Sequence, residues 1–473
     1  MNMKFFRAAA VRSFLMPLVA VVILGVAVAS CSKDEALFDA IPAEVDNVGF
    51  VRLKSVLSQS GFKFGPNGVT TDGLAAPEDR FRDLVDLADV MDRSGVCDID
   101  RMAWARDRDG VIYVTALVSD CDKFAEATSG EIGWTEAKDG FRQGQWGGFT
   151  ALTGDGRFWL TDAKDAVKAV RELQKKAGKS PLTALSGICG MLEGQGLLNM
   201  ALSCDAAAKG GKKDDGAQAA QESLWATISC DIKDNKLVAG SVVMQADGTT
   251  VAADGLQPVN QAVLSYIPDS FSFAFAVGLT PDFDWSVLTQ AVSAFGGFQA
   301  RGMMAVVTPY LQSINGTVML AAGPANDQAY SEIDPGNWHF ILMAHMPQQK
   351  ITEIMNMVRN SMFVAGMSPC MTDQGLLIVP QYGMNLYLGN VDGYFAVSNM
   401  PFDNTRQNSL APLFSGKDGA VMLELPSLRS LSPAAPAFGF RLTGQTGQGS
   451  TTAELALTGT TQPILQAILS ALL

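Results

Sequence analysis

Five short segments recur in the same order along this chain, at offsets of about 210 to 240 residues, and the repetition fixes its organisation before any motif does. Ala40 to Leu57 reads A-I-P-A-E-V-D-N-V-G-F-V-R-L-K-S-V-L, an Ile-Pro turn, an alternating strand and a helix. Tyr266 to Leu279 reads Y-I-P-D-S-F-S-F-A-F-A-V-G-L and leads into a segment with Trp285 and Leu288 at helical spacing. Val111–Val114 with a helix at Asp122 pairs with His339–Leu342 and a helix at Gln348. Gly154–Thr161 pairs with Val391–Ser398, and Leu197–Leu202 with Ala420–Leu425. The hairpin from Leu224 to Ala246 pairs with the one from Ala437 to Leu457. Two similar halves follow, 37–258 and 259–473. Each reads as strand, helix, strand, helix, a meander of strands, a helix or turn, and a closing hairpin.

Local patterns agree with this layout. Phe271 to Val277 alternates with period two, as a half-buried strand does. Asp109-Gly110, Asp139-Gly140, Asp155-Gly156 and Asp392-Gly393 are hairpin turn signals. A helix over 79–94 follows Pro77, carries Phe81, Leu84, Val85, Ala88 and Met91 on one stripe, and stops at Gly95. Another over 163–177 starts after Asp162 and stops at Gly178. The C-terminal helix after Pro463 is apolar almost all round and has to be buried against a sheet. Ala206–Gln221 and Gly65–Pro77 read as loops. Hairpins interrupted by helices, without regular β-α-β alternation, give an α+β fold with mainly antiparallel sheets and packed helices.

The first thirty residues belong to neither half. Lys4, Arg7 and Arg12 precede an apolar run from Phe14 to Ala29, which ends in Val28-Ala29-Ser30-Cys31. A charged start, an apolar centre and small residues before the end are the parts of a secretory leader. An uncleaved membrane anchor is the competing reading, but Pro17 interrupts a run already short for a span of roughly 20 residues. V-A-S-C resembles a bacterial lipobox. The resemblance implies that the leader, residues 1–30, is cut before Cys31 and that Cys31 receives a diacylglycerol and then an acyl chain such as palmitate. Residues 31–36 then form a tether. Two or more acyl chains hold a protein stably on a bilayer. In the lipoprotein sorting scheme an Asp directly after the Cys retains the protein in the inner membrane. Ser32 stands there instead, which points to the outer membrane, on its periplasmic or its surface face. Ser32-Lys33-Asp34-Glu35 resembles the export tag of surface lipoproteins and equally suits a plain solvated tether.

The lipobox, the Ile-Pro strand-helix opening and the duplicated layout together resemble a family of Bacteroidota outer-membrane lipoproteins whose domain has no known function. That resemblance implies a location and an architecture, and no catalytic residue.

Composition narrows the partners. With 48% hydrophobic and 18% charged residues, the chain has the make-up of a folded body. Its formal charge is −13, and loss of the leader's three positive residues takes it to −16. Such a surface excludes nucleic acid, which wants a basic patch, and gives anionic lipid no electrostatic attraction. The membrane is reached through the anchor, and further partners would be envelope proteins or glycans.

Chemistry-bearing residues are sparse. The two histidines, His339 and His345, sit six apart on one strand and read as strand residues bonded to polar neighbours, and no metal or cofactor is implied. Asp98/Asp100, Asp107/Asp109 and Asp282/Asp284 fall at turns and helix starts, where Asp caps backbone amides. Beyond Cys31 six cysteines remain, read as small buried side chains. Cys97 with Cys121 and Cys189 with Cys204 are the nearest pairs should bridges form. Trp134, Trp146 and Trp159 share one meander and offer either an aromatic platform for sugar rings or a packed apolar face. The residues favour a non-enzymatic binding or structural module of the envelope. The alternative is a carboxylate-dependent hydrolase or glycan-handling enzyme whose acids converge only in the fold.

Overall fold

The computed structural model describes residues 35–66, 68–71, 79–194, 196–203, 224–251, 255–283, 285, 308–325, 337–381, 383–404, 409–430, 437–447 and 449–472. Tertiary contacts divide the chain into two units: residues 1–251 with 461–473, and residues 252–460. The fold is mixed α+β, and the strand ladders within each unit are antiparallel.

The first unit contains β1 (Asn47–Val51), β2 (Phe62–Lys63), β3 (Thr70–Thr71), β4 (Cys97–Arg106), β5 (Ile112–Val118), β6 (Thr135–Glu136), β7 (Arg142–Trp146), β8 (Phe149–Gly154), β9 (Arg157–Thr161), β10 (Leu198–Ser203), β11 (Trp225–Lys233) and β12 (Lys236–Met244). Except for the small β2–β3 ladder, these pair in the order β12-β11-β10-β1-β4-β5-β9-β8-β7-β6. Side chains alternate across the sheet. Val48 and Phe50 of β1 join Ala103, Ala105 and Ala201 on one face, while Val51, Met102 and Leu198 look to the other. The first face is covered by α1 (Glu35–Phe38), α5 (Ala166–Ala177) and α6 (Ser186–Leu192). The second is covered by α2 (Leu53–Gln59), α3 (Asp79–Arg93) and α4 (Cys121–Ala127), so helices seal both sides.

The C-terminal helix, α9 (Ile464–Leu472), is also part of this unit. Leu465 enters the cluster around Val51 and Met102. Asn235, at the turn between β11 and β12, accepts Ile464 N at 2.8 Å and donates to Gln462 O at 2.9 Å, which caps the start of α9. Burial of this helix was expected from its composition. Its grouping with the first unit, and not with the 259–473 stretch, comes from that long-range cap and from packing.

The second unit contains β13 (Leu256–Gln257), β14 (Phe273–Leu279), β15 (Gly316–Pro324), β16 (Trp338–His345), β17 (Cys370–Met371), β18 (Leu377–Gln381), β19 (Met384–Val391), β20 (Tyr394–Ser398), β21 (Gly419–Leu425), β22 (Gly439–Gly447) and β23 (Ser450–Thr458). Their order is β23-β22-β21-β14-β15-β16-β20-β19-β18-β17, with β13 added to the end of β14. One face buries Ala274, Ala276, Met319, Ile341 and Met422 beneath the turn Gln261–Tyr266 and α8 (Ala411–Phe414). On the other face Leu377 and Leu388 pack under α7 (Gln348–Val364) through Ile351, Ile354, Met355 and Met362.

The five recurring segments lie on β1 and β14, β5 and β16, β9 and β20, β10 and β21, and the hairpins β11–β12 and β22–β23. In the two strand orders each of these pairs holds the same rank. Two local expectations needed adjustment. Each half carries a strand that the expected layout lacks, β4 in the first and β15 in the second, and β4 has an irregular register between Cys97 and Met102. α5 starts at Ala166 because Asp165 accepts Lys168 N at 3.2 Å, while Asp162 turns away to accept Ile112 N at 2.9 Å. The helix expected to carry Leu288 and the loop 206–221 lie outside the described residues.

Candidate functional site

The tryptophans of the meander do not come together. Trp159 on β9 is fully buried and packs with Tyr113, Phe141 and Leu152 beneath α5. Trp134 and Trp146 are half-buried against the opposite face of the sheet. Trp134 donates its indole N–H to Thr128 Oγ1 at 2.9 Å and meets Phe124 edge-on, with ring centroids 6.3 Å apart. The alternation of β9 decides this: Phe158 and Trp159 are neighbours, so they must face opposite layers. A three-ring platform is therefore not formed.

Carboxylates at the paired positions bind backbone. Asp98 accepts Asp100 N at 3.0 Å, and Asp100 accepts Ser55 N at 2.8 Å and Ser55 Oγ at 2.9 Å, which caps α2 from a different strand. Burial raises the Asp100 carboxyl above its ordinary value, against the pull of those Ser55 bonds. Asp107 accepts Asp109 N at 3.0 Å, Val111 N at 2.9 Å and Tyr113 Oη at 3.2 Å, so it shapes the turn into β5. Asp284 lies outside the described residues.

Both histidines fall on β16 on the face of Ile341 and Met343. His345 Nδ1 contacts the Asn315 carbonyl and lies 3.0 Å from Asn315 Oδ1, and its ring meets Tyr394 edge-on at 5.3 Å. Among the described residues no three His, Cys, Asp or Glu side chains converge as a metal site would require. The five described cysteines, Cys97, Cys121, Cys189, Cys230 and Cys370, carry no disulfide, so Cys97 and Cys121 are not bridged. Burial pushes the Cys97 thiol up to about 12 and the Cys230 thiol up to about 11. Both stay protonated near neutrality and are poor nucleophiles. Cys31 and Cys204 lie outside the described residues.

Sequence reasoning missed three features. Arg52 is buried, yet its guanidinium donates to Gly196 O at 3.4 Å and Gly194 O at 3.2 Å and lies over Phe50 at 5.0 Å. With Asn199, which donates to Leu192 O and Gly194 O, it satisfies carbonyls at the end of α6. This is a structural clamp. Nothing in the linear sequence links Arg52 to residues some 140 positions away.

The second feature is a groove of about 670 Å³ between α5 and the β6–β7 region. Lys138, Lys168, Arg171 and Lys175 line it against Glu136, Asp139, Asp165 and Glu172, so its charges balance. Arg171 stacks on Phe141 at 4.3 Å and bonds the Asp155 carboxylate, the Asp139 carbonyl and Gln174 Oε1. These three bonds hold the guanidinium in place, and the groove, with its balanced charges, suits polar hydrogen bonding to a ligand better than capture of a net charge.

The third is the C-terminal end of α7. Phe363, Val364, Met367 and Met371 are exposed there, with Met357 about two turns back. The signal was present in the chain: from Ile354 to Thr372 it has a single charge, Arg359, in an otherwise acidic protein.

No family model matches the chain, and no curated protein matches it. Among solved structures, crystal forms IV, III and I of TP0453 align with TM-scores of 0.27, 0.27 and 0.25 at 7%, 9% and 9% identity. The alignments cover 44%, 44% and 46% of this chain and 79%, 79% and 80% of that protein. Likeness this slight carries no inference about fold or role.

Proposed function

We propose that the chain is an envelope lipoprotein, tethered to the outer membrane by acyl chains on Cys31, whose body serves as a binding or structural module without catalysis. The observation that carries this reading is the leader: three basic residues, an apolar run and V-A-S-C, with no acidic residue before the cysteine. Among the described residues no helix is long and apolar enough to cross a membrane. A binding or structural role is supported by the occupation of the acidic pairs in capping and turn bonds and by the protonated state of the two buried thiols. The α5 groove, with its balanced charges, is the surface best suited to a polar envelope ligand.

The same proposal takes the body to be two similar halves descended from one duplicated unit. Its support is the shared strand order and the placement of all five recurring segments at equal rank. Family membership among the Bacteroidota lipoproteins is part of the proposal and rests on the lipobox and the Ile-Pro openings at Ile41-Pro42 and Ile267-Pro268.

Metabolic labelling with radioactive palmitate tests the anchor. The protein should take up label and sediment with outer membranes. Cys31→Ser should abolish the label. An unlabelled wild-type protein in the soluble fraction would overturn the proposal.

A further inference from the structure

We propose that the end of α7 is a second membrane contact, which lays Phe363, Val364, Met367 and Met371 into the boundary between lipid headgroups and acyl chains. The proposal rests on the lipoprotein reading, which places a bilayer within reach of the body. Exposure singles out the place. Phe363 is 61% exposed and Val364 90%, and five of the eight large apolar side chains exposed among the described residues lie between Met357 and Met371. All six residues from Phe363 to Ser368 are exposed, so the end of the helix stands clear of the body, and a concavity lined by Glu353, Asn356, Met357, Asn360, Ser361 and Val364 adjoins it. A bilayer accepts an apolar tip of this kind.

The tip is built, not frayed. Gly366 takes φ +73°, Gly366 N donates to Phe363 O at 3.0 Å and Met367 N donates to Met362 O at 2.9 Å. These two bonds form the glycine-terminated helix cap in which the chain reverses over the last turn. Met362, at 2% exposure, pins that turn into the core while Phe363 and Val364 point away. The apolar residues are therefore held outward by ordered backbone.

Charge agrees. The chain carries −13 overall, yet Ile354 to Thr372 contains no carboxylate that would have to be desolvated at a lipid surface. Its one cation, Arg359, has Nη2 3.9 Å from Met371 Sδ, at the rim, where a long side chain can reach lipid phosphate. The fold does not need this tip. The helix of equal rank in the first unit, α4, has seven residues and exposes Asp122, Lys123 and Glu126 at its surface.

The complete acylated chain, reconstituted in phosphatidylcholine vesicles, provides the test. Phe363→Trp is compared with Glu126→Trp, both read as tryptophan emission above the wild-type background while brominated phosphatidylcholine is introduced. Quenching at 363 should be at least twofold greater than at 126. Flotation of the vesicles reports the anchor separately. Protein that floats but shows equal quenching at the two sites overturns the tip contact and leaves the anchor standing. Protein that does not float overturns both. A blue-shifted, concentration-dependent emission at 363 without vesicles would mean that a second copy covers the tip, and would also overturn the proposal.

Discussion

The two units share a ten-strand order but dress it differently. At the centre of the first sheet Gly49 of β1 faces Trp104 of β4, and the indole lies so close that a Cβ on Gly49 would stand 1.9 Å from the ring. At the same rank in the second sheet Phe275 of β14 faces Leu320 of β15, and both are more than a third exposed. The first unit places one large ring over a glycine, under helices. The second spreads its apolar area over two neighbouring strands. The lesson is that backbone pairing sets topology, while the choice of which strand supplies the bulk sets how a face is covered. The helices diverge in the same way: α4 is short and polar outside, whereas α7 runs for 17 residues and ends in an apolar tip.

The largest effect should separate the two sheets. Phe50→Ala empties a fully buried site and should cost about 3–5 kcal/mol, as buried Phe truncations do. Phe275→Ala should cost less than half of that, because its ring already meets solvent. Urea unfolding followed by hydrogen-exchange mass spectrometry, which resolves the units, checks this, and equal costs would break the comparison.

Next comes Gly49→Ala, which should cost about 1–3 kcal/mol by overpacking against Trp104. Adding Trp104→Ala should recover part of that loss, and strictly additive costs in the double variant would show that the ring is not the obstacle.

A smaller effect comes from alkali. The thiols of Cys97 and Cys230 are raised from an ordinary 9.0 to about 12 and about 11 by burial. Below pH 9 they are protonated in both states. Above it the unfolded thiols ionise first, so stability falls as pH rises, by about 1 kcal/mol per thiol between pH 9 and 10. Both thiols lie in the first unit, while Cys370 of the second is exposed. Hydrogen exchange should therefore quicken in the first unit over that window, and Cys97→Ala with Cys230→Ala should flatten the slope. An equal response of both units would contradict the assignment. The smallest effect is Phe363→Ser, which should change stability by less than about 0.5 kcal/mol, since the ring contributes little to the core. A large loss in a thermal melt would mean that the tip is structural.

Much of this architecture was readable from the chain. The Asp-Gly turns at 155–156 and 392–393 do take positive φ at both residues, as tight hairpins demand. Asp234-Asn235 closes the β11–β12 hairpin with the same geometry but without a glycine, so it gave no signal. Strand alternation was enough to place Phe158 and Trp159 on opposite faces, which dissolves the tryptophan platform. What stayed hidden depends on distant partners: Asn235 capping α9, Asp100 capping α2 and Arg52 clamping the end of α6. Each joins residues far apart in sequence through a bond that no local pattern encodes. The α7 tip was legible only as a missing feature, a stretch without acids in an acidic chain.

The proposed tether is what would give both the α5 groove and the α7 tip their meaning, so the chemistry at residue 31 matters most. Intact-mass and N-terminal peptide mass spectrometry of the protein taken from its native membranes measures it directly. The expected species begins at Cys31 and carries the added mass of acyl chains on that residue. A chain that still bears residues 1–30, or a Cys31 with a free thiol, would contradict the lipoprotein reading.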